Sequence, residues 1–449
     1  NSLQFVSKRF FYLSTLLQEL AGPQLAAAPT APKCLEKLTR KPTLVLSFQQ
    51  DGTGGVQSVP ACVPDGAVIL GATASDVQSN TNGGVTTDPS VVMLGFGPDT
   101  VVTPFFNELP DDSEDYDVMI VYACGHGYHY AEPFVSAFQA KCPDATIVGG
   151  MCEGGFVSDD NNTLDAHGIR HITSGIFGIL GKNMPLRSVV SRGVKSLTDN
   201  LPWRVQEAKL VYPEDEEYIF IGHDYPYHCI TKICKDTVPP TSPTALLSTL
   251  SPDFCGLQRN DGYGFELHVL NPISIQTDSI ILMTDGSGEQ TKSLVNAQLD
   301  LFSLDGDECK RHMDWTLQQL KEQTRDETIL GAVMFSCNGR GPQARSLLRE
   351  TMSDATRFHK HFRNIPCCGF YAGGEIGPMA LAGSHHHVFQ RGKVAVQGFT
   401  AVFALFIVPA TQPRAFDLDD SDENVANFVR DRLEPVVVDG NEEHGDEEE

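Results

Sequence analysis

The chain has 449 residues, with 33 Lys and Arg against 58 Asp and Glu, and this net charge of −25 argues against nucleic acid as a partner. Hydrophobic residues make up 41% of it, and domains average about 150 residues, so the chain is long enough for more than one buried core. Its longest unbroken apolar run, Ala401 to Ala410, falls well short of the ~18 to 20 residues of a membrane span, so no membrane association is expected.

At the start, Leu3, Val6, Phe10, Leu13, Leu17 and Leu20 recur at spacings of three and four, which predicts a helix with one apolar face. A chain opening on Asn1 rather than Met is read as a cut end, with an upstream segment left open. Residues 21–32, AGPQLAAAPTAP, contain three prolines and no charge and read as a linker. From Thr43, β-branched runs at 43–48, 67–71, 118–122, 145–149 and 175–180 alternate with glycine-rich turns and occasional helices, a mixed α/β pattern. The proline cluster at 236–244 marks a second linker, followed by strands near 267–270, 279–283, 329–335, 367–371 and 393–408. The expected domains are therefore 33–235 and 245–410. Residues 411–449 carry 14 acidic and 3 basic side chains, a composition expected to stay unfolded.

Two stretches share one order of elements. VMIVYACGHG (118–127) leads through the helical AEPFVSAFQAK into DATIVGGMCEGGF (144–156). GAVMFSCNGRG (331–341) leads through a helix with Ala344, Leu347, Leu348, Met352, Ala355, Phe358 and Phe362 on one face into NIPCCGFYAGGEIG (364–377). An internal duplication of a βαβ-like unit explains both, because parallel neighbours need a crossover.

The second copy concentrates the candidate chemistry. Cys337, Asn338, Gly339, Arg340, Gly341, Gly373, Gly374 and Glu375 fall where two apolar strands end, the position at which open α/β sheets hold ligands. Glycine N–H groups and Arg340 suit an anion and Glu375 suits an ammonium, so the set fits a zwitterion. The alternative is that the glycines are tight turns and that Arg340 and Glu375 pair with each other or with backbone. Cys124, Gly125, Gly150 and Glu153 form the corresponding secondary candidate in the first copy.

Neither Cys124 nor Cys337 reads as a nucleophile. His126 and His129 follow Cys124, but Gly339 and Pro342 stand at those places after Cys337, so no base is shared. The run His385-His386-His387 lacks a fourth ligand at metal spacing, and twelve cysteines without a CxxC argue for reduced thiols in cytoplasm or nucleus rather than a zinc module. No phosphate-binding, GxSxG or HExxH motif is present, so neither a cofactor nor an enzymatic activity is expected.

GAVMFSCNGRG, NIPCCGFYAGGEIGP and VQGFTAVFALF (396–406) resemble the C-terminal half of the FIST domain, and VMIVYACG with ATIVGGMCEGGF resembles its N-terminal half. SLQFVSKRFFYLS (2–14) resembles the end of an F-box, making residues 1–20 an F-box remnant. The resemblance implies a substrate-recognition adaptor of a Skp1-cullin-F-box ubiquitin ligase. In that role an F-box docks on a Skp1-type protein and cullin, and the FIST region binds substrate proteins. It also implies, as an alternative, a sensory domain for a small amino-acid-like ligand without a ubiquitin role.

Overall fold

The computed structural model describes residues 23–409 apart from 39, 51–62, 64–65, 81–84, 159–167, 199–201, 213–214, 216, 218–226, 236–237, 259–263, 271–274, 277, 284–293, 343–344, 351–352, 380–381 and 383–392. The apolar helix expected over 2–20 and the tail after 410 lie outside these residues. The fold is mixed α/β.

Three sheets share one layout. The first runs Gln24–Ala28, Ser90–Gly95, Leu44–Gln50, Val68–Ala74, Gly154–Ser158, Ile169–Ile172. The second runs Val101–Phe106, Gly175–Lys182, Val118–Cys124, Thr146–Met151, Glu375–Pro378, Val394–Gln397. The third runs Leu186–Arg192, Thr400–Pro409, Glu327–Cys337, Cys367–Ala372, Val77–Ser79. Within each, the third and fourth strands are a parallel pair. The fifth strand is lent by another unit: Val77–Ser79 leaves the first for the third, Gly154–Ser158 leaves the second for the first, and Glu375–Pro378 leaves the third for the second. The two units recognised as copies in the sequence are thus joined by another, residues 24–95, and the exchange of strands is cyclic.

One glycine per sheet makes the exchange possible. Gly71, Gly149 and Gly369 lie opposite Ser47, Val121 and Met334 in the parallel pairs and opposite Phe156, Ile376 and Gln78 of the lent strands. A Cβ at Gly149 would sit 1.7 Å from the Val121 carbonyl oxygen, and one at Gly369 would sit 1.8 Å from that of Met334. Counting from these glycines, Gln50, Cys124 and Cys337 are equivalent, as are Phe48, Tyr122 and Phe335. The last three belong to the core that all three sheets enclose, where Tyr122 stacks edge-on against Phe335 at 5.8 Å and Phe370 at 5.5 Å. Burying each such ring stabilises by about 1.5–3 kcal/mol.

The strands that build this core are continuous apolar runs such as VMIVYAC, buried on both faces. Helix Ala131–Lys141 covers one sheet with Val135 and Phe138. Helix Gly306–Gln323, capped by the Asp305 side chain accepting from Glu308 N, covers another with Met313, Leu317 and Leu320.

Between strand Leu186–Arg192 and helix Gly306–Gln323 the chain builds a fourth, nine-stranded sheet, in which Tyr227–Lys235 pairs with Ser279–Met283 and Phe254–Gln258 with Gln298–Leu304. The linker expected at 236–244 falls inside this sheet, as strand Val238–Thr241 and the start of helix Pro243–Leu250. That helix is possible despite the prolines because Pro243 occupies its first turn behind the Ser242 cap, where no N–H is needed. Residues 21–32 are likewise no plain linker: Gln24–Ala28 is a sheet strand and Ala31–Leu35 a short helix. The single helix expected over 344–362 is two, Arg345–Leu348 and Ser353–His361. No helix among the described residues is long and apolar enough to cross a membrane.

Candidate functional site

Strand Glu327–Cys337 ends in a single 3-10 turn, Asn338–Arg340, and its parallel neighbour ends at Ala372, before the exposed Gly373. These two ends bring Cys337 to Gly341 and Gly373 to Glu375 to one corner. Asn338 and Gly339 are exposed and Cys337 is half-buried, whereas Arg340 and Glu375 are fully buried.

Arg340 is held entirely by the protein. Its Nε and Nη2 donate to the two Asp354 carboxylate oxygens at 2.9 and 2.6 Å, and Nη1 donates to the Phe399 carbonyl at 3.3 Å. Its guanidinium carbon lies 5.8 Å from the centre of the Phe399 ring. Desolvation opposes the charge, but Asp354 outweighs it and raises the pKa. The expected role of Arg340 as a ligand's anion anchor is therefore corrected: it pairs with Asp354, which the sequence did not suggest, and with the Phe399 carbonyl, the backbone pairing named there as an alternative. A buried bidentate pair of this kind excludes a second anion, because the guanidinium fork is already matched.

Glu375 is also bound inside. Its Oε2 accepts from Thr400 N at 3.0 Å and from Thr400 Oγ1 at 2.8 Å, while Oε1 meets no donor with hydrogen-bond geometry among the described residues. Burial pushes its pKa up from 4.5 to about 8, against the smaller opposing effect of Thr400 and Arg340. The Cys337 thiol is the neighbouring polar group, and it too is driven up by burial and by Glu375, to about 12. Its sulfur accepts from Gly339 N at 3.4 Å. A thiol so far from ionising is not an activated nucleophile. Cys124 is likewise raised by burial, to about 11.

Two features of the corner had no signal in the sequence. Phe399, the residue before Thr400, has φ +58°, the left-handed region that bulky residues avoid, and such strain concentrates where the surroundings fix a functional geometry. Tyr371, on the strand leading to Gly373, is buried with its hydroxyl unpartnered among the described residues. Asp354 and Thr400 lie 14 and 25 residues from the groups they bind, too far for a local motif to announce them.

The secondary candidates separate. Gly150 pairs directly with Glu375 and so belongs to the corner, with Met151 N donating to Gly374 O and Gly373 N donating to Met151 O. Cys124, Gly125 and Glu153 lie instead at the equivalent corner of the second unit, where Glu153 N donates to Thr73 O and Gly125 takes φ +54° against Thr173 O. The run 385–387 is outside the described residues, and no group of three or more His, Cys, Asp or Glu among those described has metal-holding geometry. Two open clefts lie elsewhere, one of about 290 Å³ beside Lys37 and Arg363 and one of about 310 Å³ beside Phe105 and Arg170.

Residues 244–378, which include Cys337–Gly341, Asp354 and Gly373–Glu375 of this corner, match the FIST C domain. An uncharacterized protein of Mycobacterium bovis is 27% identical over 272 residues, covering 59% of this chain and 61% of that one. An uncharacterized protein of Mycobacterium tuberculosis is 27% identical over 281 residues, covering 61% and 64%. The chain thus spans less than two thirds of the length of these relatives.

Proposed function

We propose that this protein is a non-enzymatic binding module whose FIST region, residues 43–410 by resemblance, senses a small amino-acid-like ligand at the Cys337–Gly341 and Gly373–Glu375 corner. The observation that carries this reading is Glu375: a fully buried carboxyl whose Oε2 is held by Thr400 and whose other polar neighbour is the Cys337 thiol, placed behind the exposed Asn338, Gly339 and Gly373. A carboxyl held protonated near neutral pH is poised to ionise when an ammonium approaches it, since an adjacent cation lowers a carboxyl pKa. Ligand binding at pH 7 then releases close to one proton, and above pH 9 almost none. Calorimetric titration of the full chain with free amino acids in two buffers of different ionisation enthalpy measures this directly. Heat that does not depend on the buffer, or that stays buffer-dependent in Glu375→Gln, defeats the assignment of Glu375.

A second reading is favoured by SLQFVSKRFFYLS at 2–14, which lies outside the described residues. In it the chain is the substrate adaptor of a Skp1-cullin-F-box ligase, and the same corner receives the terminus of a substrate protein. Twelve cysteines without a CxxC favour the cytoplasmic or nuclear setting that both readings share. Recovery of Skp1 and cullin with a chain carrying a complete F-box supports the adaptor; failure to recover them removes it and leaves the sensor.

A further inference from the structure

With Arg340 occupied by Asp354, the anionic end of any ligand needs another cation, and one stands beside the same corner. Arg192 ends strand Leu186–Arg192 directly opposite Thr400, the residue that holds Glu375 through its N and Oγ1. Arg192 is only 6% exposed. Its backbone N donates to His312 Nδ1 at 3.4 Å, but its guanidinium meets no hydrogen-bond acceptor among the described residues. The acidic group that acts on it, Glu308, is ion-paired with Arg311.

A guanidinium has five donors in a planar fork, so Arg192, with no protein acceptor on its side chain among the described residues, can hold an oxyanion bidentately. The other buried arginine of this corner is matched, Arg340 by Asp354. Burial without a partner also lowers the Arg192 pKa from 12.5 to about 10, opposite in direction to Arg340. Arg192 precedes Gly193, whose carbonyl accepts from Asp305 N at the start of the 18-residue helix Gly306–Gln323, a first turn that carries Asp305, Asp307 and Glu308. A Cβ at Gly193 would lie 2.4 Å from the Cys309 Cβ, so strand end and first helical turn are in contact.

We propose that Arg192 is the anion anchor of this corner and takes the carboxylate or phosphate of a small ligand whose remainder lies toward Thr400 and Glu375. This deepens the ligand-sensing reading and rests on it for the ligand's other end. The bidentate fork of Arg192 supplies what Arg340 cannot, and the Thr400 strand sets the spacing between the two ends of the ligand.

The test is thermal unfolding of the full chain with sodium acetate or sodium phosphate replacing sodium chloride at constant ionic strength. The wild type is expected to gain a saturable rise in midpoint, with acetate and phosphate distinguishing the two oxyanions. Arg192→Met is expected to weaken the apparent affinity at least tenfold, while unfolding in chloride no lower than the wild type because an unmatched charge has gone. Arg192→Lys keeps the charge without the fork and gives an intermediate affinity, which serves if the methionine variant does not fold. An equal rise in wild type and Arg192→Met reflects general salt exclusion from the surface and overturns the proposal. No rise in the wild type, together with a lower midpoint for Arg192→Met in chloride, makes Arg192 a structural residue and also overturns it. Glu375→Gln should keep the oxyanion response: oxyanion binding without amino-acid binding removes only the amino-acid reading, and amino-acid binding with proton release in Arg192→Met removes only the anchor.

Discussion

Glu375→Gln exchanges a buried carboxyl for a neutral amide of nearly the same shape, so it isolates the cost of the charge from the cost of packing. The folded-state pKa of about 8 lies above the ordinary 4.5, chiefly because burial disfavours the anion. In the unfolded chain the group ionises from about pH 4.5, whereas in the folded chain it keeps its proton to about pH 8. The folded state therefore binds more protons over this window, and stability falls as pH rises through it. The stabilising effect of the proton is fully present below 4.5, and integrating from pH 5 to pH 8 gives a loss of roughly 3–4 kcal/mol from this one residue. The glutamine variant resembles the protonated form at every pH. Denaturant unfolding of both proteins at pH 5 and pH 8 should show the variant gaining on the wild type by about that amount at the higher pH. Asp76 and Asp117 are also raised by burial and slope the same way, but they are common to both proteins and cancel in the difference. Parallel stability curves for the two proteins would show that Glu375 is already ionised at pH 5 and would refute the account of its burial.

Removing one side of the Arg340–Asp354 pair leaves the other charge buried, so Arg340→Ala and Asp354→Ala should each cost about 3–5 kcal/mol in equilibrium unfolding. The double change Arg340→Met with Asp354→Leu should recover most of it; a mild effect of Arg340→Ala alone would mean that the pair is solvated. Gly149→Ala and Gly369→Ala place a Cβ within 1.7 and 1.8 Å of a neighbouring strand's carbonyl oxygen, so both should unfold several degrees lower than wild type at the least, while alanine at the open, exposed Gly66 tip measures only its φ of +82°.

Much of the strand framework is legible in the sequence because buried parallel strands are written as β-branched and apolar runs, which need no partner to be recognised. Val118–Cys124, Thr146–Met151 and Glu327–Cys337 are of this kind. Gln24–Ala28 is not: its alanines have little strand preference, and it is a strand because Ala26 to Ala28 pair with Val91 to Met93 while Leu25 fills the space above Gly331. Helix Gly306–Gln323 is masked by its charge, yet Cys309, Met313, Leu317 and Leu320 keep the spacing of one buried face. The first unit escapes recognition as a relative of the others because Gln50 stands where they carry Cys124 and Cys337. Only Gly71, under the Phe156 ring, keeps the shared signature. Arg340 and Glu375 stand out in sequence as charges among glycines, but whether such charges face a ligand or each other's surroundings is decided by Asp354 and Thr400, which only the folded chain brings near.

The three-unit layout also locates what is distinctive about the third corner. At the register position of Glu375 the other units carry Gly155 and Val77, and at that of Cys337 they carry Cys124 and Gln50. Gly155 is closed over by the Gly71 carbonyl and the Phe177 ring, and Val77 is packed in the shared core, so neither equivalent place has room or need for a charge. The scaffold is therefore satisfied by small or apolar residues at this position, and a carboxyl there is not required by the exchange of strands. It is accompanied by an arginine and an aspartate that match each other, a threonine that holds one of its oxygens, a strained Phe399 and Arg192 at the end of the neighbouring strand. A buried carboxyl that the exchange of strands does not require is the feature that the proposed ligand-sensing role explains, and the Glu375→Gln and Arg192→Met variants test that explanation.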